Sequence, residues 1–392
     1  MPPDDHFAPF GFFDVDDDHP RSTLTHFPNL QTIEAKVLTA LHDTTSPLYP
    51  VTASCKDVLV PELIHHALSP NLLVKTDLGD HPSMDRFIFS PLFTQLRAKR
   101  LGLLLGEFLG KLHSAVRFVG EDQPKPTVRL RRLLINSYME PTLQGVLGAT
   151  GTYLRMAGVE DHEDLLKMAS EMWLGREKSA FCKGNISFGT LQVVSKDSDE
   201  EVEGDQTRVI ICDWEFAGPG HPAVDLAQMG SYLFLLLFPS LRNSPIVRYV
   251  TRLFRPLLRA FGLATDTTLM QIVGAHLHLA SLSPHTDGQR RAAVATLADG
   301  LYRTYNSHLG SITDDDDCYR LSLLVFHACE MITASVWKHA FWCDCEGVLS
   351  CSHTRAMIRV AAGLLRSVKG RRRVDWAEAE RVSGWTRYYR MT

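Results

Sequence analysis

The fold turns on "VIICDWEFAGPGHPAVDLAQ" (Val209–Gln228) and on "CKGNISFGTLQVV" (Cys182–Val194), which precedes it. "TLQVV" and "RVIICDWEF" are β-type runs, rich in the branched and aromatic residues of strands. The polar, acidic "SKDSDEEVEGDQT" between them reads as a solvated connection, so the two runs are expected to form a hairpin. Upstream, "LFTQLRAKRLGLLLGEFLGKLHSA" (Leu92–Ala115) has the spacing of a long apolar-faced helix, and further helices are expected up to Lys178. Downstream the pattern is helical again, with breaks near Pro239, Ser281–Gly288 and Thr313–Asp317. Nearer the start, "NLQTIEAKVLTALHD" places Leu30, Ile33, Val37 and Leu41 at helical spacing and carries Glu34. "DVLVPELIHHAL" and "NLLVKTDLGD" read as two short strands, and residues before about 28 as an arm without periodicity.

Asp213, Trp214 and Glu215, followed by Pro222, Asp225, Leu226 and Ala227, match in type and order the metal motif and the Pro-x-x-Asp-Leu-Ala segment of a known family. The chain thus resembles the aminoglycoside phosphotransferase and choline kinase family. Glu34 is similar to that family's helix glutamate, "TDLGD" to the segment joining its lobes, and "LGEFLGKLHSA" to its helix ending in Leu-x-x-Leu-His. The resemblance implies a bilobal α+β, protein-kinase-like fold. It divides the chain into an arm (1–28), a reduced amino-terminal lobe (29–90) and a helical lobe (91–392) carrying the catalytic hairpin at 181–227.

The family's loop reads His-Gly-Asp-x-x-x-x-Asn; the same register here gives Lys183, Gly184, Asn185 and Thr190. An amide at 185 cannot accept a hydroxyl proton at neutral pH, and a threonine hydroxyl at 190 is a poorer metal ligand than an amide carbonyl. Such enzymes also pair a strand lysine with the helix glutamate, yet no lysine precedes Lys36 and Gly11 is the one glycine before the helix. Phosphate binding by the usual parts is therefore not expected. Asp213 is a candidate Mg²⁺ ligand or simply an acceptor for neighbouring backbone, and the second role is expected of Asp225. Lys183 is read either as a cation or base at the site or as an exposed solubilising residue.

A net charge of -4 argues against nucleic acid or an anionic membrane as partner, and "KGRRRV" (Lys369–Val374) reads as a solvated turn. No secretory signal or spanning helix is expected; "YLFLLLFP" is far below the ~20 residues a span requires. Eight cysteines in a chain of 392 fit reduced thiols, and the expected location is cytoplasmic. His339, Cys343, Cys345, Cys351 and His353 crowd one stretch without a usual zinc spacing, and read better as buried thiols and a loop. In "TDDDDC", Thr313 or Asp314 is expected to cap the following helix. His113, His276, His278, His327 and His339 mostly fall on apolar faces, where a core histidine is the commoner case, although in a cleft without a kinase base such a residue is a natural acid or base.

The candidate catalytic residues are therefore Asn185, Lys183, Asp213 and His113, with Asp213 the candidate metal ligand, Mg²⁺ the candidate ion and no other cofactor expected. The expected function is ATP-independent acid–base chemistry on a small molecule, such as a cyclisation, isomerisation or elimination. The alternatives are a non-catalytic pseudokinase that binds a metabolite or protein, and an atypical phosphotransferase.

Overall fold

The computed structural model describes residues 28–67, 72–118, 125–135, 139–174, 178–195, 207–237, 287–309, 316–337, 339, 348 and 351–390. The arm before residue 28, most of the acidic connection after Val194, His276, His278, Thr313, Asp314, Cys343 and Cys345 lie outside them. Within them the chain is a mainly helical α+β protein.

The first part holds α1 (Pro28–His42), α2 (Tyr49–Ser54), β1 (Val58–Leu59), β2 (Leu63–Ala67), β3 (Leu72–Lys75) and α3 (Met84–Ile88). Then come α4 (Gln95–Ala115), α5 (Lys125–Leu133), α6 (Met139–Met156) and α7 (His162–Leu174). The middle carries β4 (Ala180–Cys182), β5 (Leu191–Val194), β6 (Arg208–Ile211), β7 (Gly218–Gly220) and α8 (Ala223–Leu237). The last helices are α9 (Asp287–Leu309), α10 (Asp316–Trp337), α11 (Ser352–Val368), α12 (Trp376–Val382) and α13 (Thr386–Arg390).

The expected hairpin is present: β5 and β6 run antiparallel, with Leu191 opposite Ile211 and Val194 opposite Arg208. β1 adds to the other edge of β6 in parallel, so β6 is central and its Val209, Ile210 and Ile211 are buried. The single strand expected from Asp57 to Leu68 is two, because Pro61, which has no N–H to give a ladder, falls between β1 and β2. β2 pairs with β3 instead, Leu63 opposite Lys75. α4 starts three residues later than the pattern suggested, where the Thr94 hydroxyl accepts the Arg97 N–H at 3.3 Å and caps it. α10 begins at Asp316, which puts Asp316 and Asp317 in its first turn, where the helix dipole favours acids.

α4 crosses α9 at unusually close range. Gly102, Gly106 and Gly110 form one row at four-residue spacing, against the carbonyls of Leu297, Leu301 and Tyr305. This contact matters for the site, because α4 delivers His113 and α9 delivers Tyr305 to the centre of the molecule. All six described cysteines are free thiols. Among the described residues no helix is long and apolar enough to cross a membrane.

A Cβ on Gly106 would lie 2.4 Å from the Leu301 carbonyl oxygen, a backbone atom that no side-chain rotation can move away. Gly106→Ala is therefore expected to cost about 1–3 kcal/mol by forcing the helices apart, read as a lower urea midpoint; an unchanged midpoint would show that the helices do not need this approach.

Candidate functional site

The two sequence motifs meet at Asp225, in the first turn of α8. Its carboxylate is fully buried. Oδ2 accepts the Lys183 backbone N–H at 2.7 Å, and Oδ1 accepts the Gly184 N–H at 2.8 Å. His113 Nε2 lies 3.0 Å from Oδ2, so the ring must donate there, a carboxylate having nothing to give. Its other nitrogen is 2.8 Å from the Tyr305 hydroxyl. Asp225 is thus structural, as the sequence suggested. His113, a catalytic candidate, is buried with both nitrogens engaged and stands behind the loop.

Loop 183–190 is shaped from both ends. Gly184 has φ +80, and a Cβ there would sit 2.2 Å from the Phe216 carbonyl oxygen, so the position requires glycine. β4 pairs with β7, Cys182 opposite Gly218, and this draws the loop against the Asp213–Phe216 turn. Lys183 is not exposed. Its ammonium is buried between the carbonyls of Asn185 (2.9 Å) and Asp213 (2.5 Å) and lies 5.6 Å from the centre of the Trp214 ring. Burial lowers its pKa, against the attraction of Asp213 and Asp225. Its role is to staple together the backbones of the two remaining candidates. The Thr190 hydroxyl is also committed, donating to the Ser187 carbonyl (2.9 Å) while accepting the Ser187 N–H (3.2 Å) in a local capping box.

Asn185 and Asp213 do reach the surface. Asn185 is half-buried, and Asp213 is exposed at the end of β6 with φ 57, the one non-glycine positive φ among the described residues. Such a backbone is costly for a residue with a side chain and recurs at functional turns. α1 packs on that turn and brings Glu34 to it. Here the expectation that the helix glutamate lacks a lysine is overturned. Lys75 at the end of β3, C-terminal in sequence to Glu34 and not ahead of it, puts Nζ 2.8 Å from Glu34 Oε1. Burial works to lower the Lys75 pKa, but the pull of Glu34, with smaller ones from Asp213 and Cys212, raises it overall. Glu215 lies in the same turn, two residues after Asp213. It is half-buried, and burial first, then the charges of Asp213 and Glu34, push its carboxyl up to about 7.

Among the described residues, His113, Cys182 and Asp225 are the one set of three potential metal ligands whose donor atoms lie within 4.8 Å of one another. Those donors are spent: both Asp225 oxygens accept N–H groups, His113 is engaged on both sides, and burial together with Asp225 holds the Cys182 thiol well above its usual pKa. Asp213 belongs to no such set, and the Thr190 hydroxyl is committed within its own loop. In the zinc-like stretch, His339 is buried and Cys351 Sγ lies 3.7 Å from His353 Nδ1. His327 is core, 2.8 Å from the Tyr389 hydroxyl.

Two residues escape the motif reading: Lys75, on Glu34, and Glu330, whose Oε1 lies 3.2 Å from Nε2 of Gln228, the residue that accepts the Ile186 N–H of the loop. Lys75 was the one lysine in "NLLVKTDLGD", and Glu330 is the one charged residue between Leu321 and Trp337, an isolated acid on an apolar helix that sequence alone already displays. No protein-family model matches the chain, and comparison with curated proteins finds no match.

Replacing Asp225 by Ala leaves two buried backbone donors and His113 without their acceptor. A loss of about 3–5 kcal/mol in urea unfolding is expected, and a loss under about 1 kcal/mol would contradict the role of Asp225 as the loop's anchor.

Proposed function

We propose that the chain has the bilobal, protein-kinase-like fold of the aminoglycoside phosphotransferase family, and that its cleft performs ATP-independent acid–base chemistry on a small molecule. The observation that carries this reading is the meeting of the Glu34–Lys75 pair (2.8 Å) with the Asp213–Phe216 turn, where burial and then the charges of Asp213 and Glu34 push the half-buried Glu215 carboxyl up to about 7. A group that titrates near the working pH can both take and return a proton.

In this reading Glu215, when ionised, removes a proton from carbon next to a substrate carbonyl. The electron pair moves to the carbonyl oxygen, and the Lys75 ammonium, with one N–H on Glu34 and two others to offer, stabilises the negative charge there. Return of the proton from Glu215 to a different carbon completes an isomerisation; expulsion of a neighbouring group completes an elimination. Asn185, whose amide both donates and accepts, orients the substrate. Supporting the loss of phosphoryl transfer are the amide at 185 in place of a carboxylate, and the Thr190 hydroxyl bound within its own loop.

A second reading, an atypical phosphotransferase, is favoured by the Lys75–Glu34 pair. It restores from another strand the contact such enzymes use on nucleotide phosphates. The two readings differ in what they need: the first works without a nucleotide.

The test is incubation of the purified protein with a small-metabolite extract in deuterium oxide, without ATP, followed by mass spectrometry. Acid–base chemistry predicts one compound that gains deuterium at carbon. The rate should rise with pH and level off above about 7, because Glu215 must be ionised to act as base, and Glu215→Gln should abolish it. Absence of exchange, or exchange that survives the substitution, overturns the assignment.

A further inference from the structure

Gln228 of α8 ties the candidate loop to α10. Its Oε1 accepts the Ile186 N–H at 3.0 Å; its Nε2 lies 3.3 Å from the Gly184 carbonyl and 3.2 Å from Glu330 Oε1. The two bonds to the loop bracket Asn185. Glu330 is only 7% exposed, and Gln228 is the one hydrogen-bond partner of its side chain among the described residues.

A primary amide has two ends of nearly equal shape, and either can face a neighbour. Here the Ile186 N–H and the Gly184 carbonyl already favour one orientation, and a carboxylate on the third side, which only accepts, locks it. With Glu330 ionised, Nε2 must face α10 and Oε1 must face the Ile186 N–H; the reverse would set oxygen against carboxylate and N–H against N–H. We propose that Glu330 is a positioning residue, which fixes the orientation of the Gln228 amide and through it the backbone of Gly184–Ile186, and so the aim of Asn185. This rests on the reading of that loop as part of the reacting cleft.

The device responds to pH. Burial pushes the Glu330 carboxyl up to about 7, with the Gln228 bond opposing. Across neutrality it changes from a neutral acid, a weak acceptor, to a carboxylate. The titratable groups bearing on it are Tyr232 of α8, whose hydroxyl is pushed up by burial first and then by Glu330 and Asp85, and Cys329 on its own helix, at about 12 chiefly through burial. From α6, α7, α11 and α13, which also pack on α10, no charged side chain shifts it among the described residues.

Hydrogen–deuterium exchange of the peptide spanning 181–190, corrected for the intrinsic pH dependence of exchange, tests the proposal. Wild-type protection should rise about five- to tenfold between about pH 6 and about pH 8, the change expected for one net hydrogen bond. Glu330→Gln, nearly the same shape but unable to ionise, should give a flat profile. Gln228→Ala should be poorly protected at both values, with a peptide from α4 reporting that each variant is folded. A rise retained in Glu330→Gln, or full protection in Gln228→Ala, overturns the proposal. No substrate is involved, so a flat wild-type profile sinks the positioning role while leaving the acid–base reading intact. Missing deuterium transfer to a metabolite does the reverse.

Discussion

One buried carboxylate organises the site. Asp225 holds the backbone of Lys183 and Gly184 with its two oxygens and takes His113 on the same face, so three segments distant in sequence meet at one charge. Burying that charge is tolerable because every contact is a donor. The glycine row of α4 serves the same centre, since only a close approach of α4 and α9 lets His113 and Tyr305 share a hydrogen bond. The loop above is anchored to Asp225 through the backbone N–H groups of Lys183 and Gly184, so that anchorage does not depend on which side chains stand at 183 and 185.

Those side chains have been divided between structure and chemistry. Lys183, at a position where a reactive cation could stand, is spent on two carbonyls under the turn, and Thr190 on the turn that follows. Asn185, Asp213, Glu215 and Lys75 remain at least partly exposed. Burial first, and then the charges of Asp213 and Glu34 against the opposing pull of Lys183 and Lys75, make Glu215 hold its proton to about 7. A carboxyl so poised suits proton transfer better than it suits gripping a polyphosphate.

Much of this was legible in the sequence, and the limits were physical. The hairpin and the helices around it followed from periodicity, and the structural role of Asp225 from the readiness of a carboxylate to accept neighbouring backbone N–H groups. Lys75 was missed because motif logic sought a lysine ahead of Glu34, whereas an ion pair requires only proximity, and β3 folds back over α1 to provide it. Pro61 was visible, but that it divides one expected strand between two sheets is decided by partners distant in sequence. Whether Lys183 and His113 face the cleft or the core is set by packing, which spacing along the chain does not encode; both prove to be core.

The central claim, that this cleft works without a nucleotide, is tested most directly by thermal melting of the full chain with and without millimolar MgATP. The account predicts no magnesium-dependent rise in Tm. A ligand present at about 100 times its Kd would stabilise the protein by roughly 2.7 kcal/mol, a shift readily seen. A clear rise that needs magnesium and is lost in Asp213→Ala would contradict the account and return Lys75 and Asp213 to the service of phosphate.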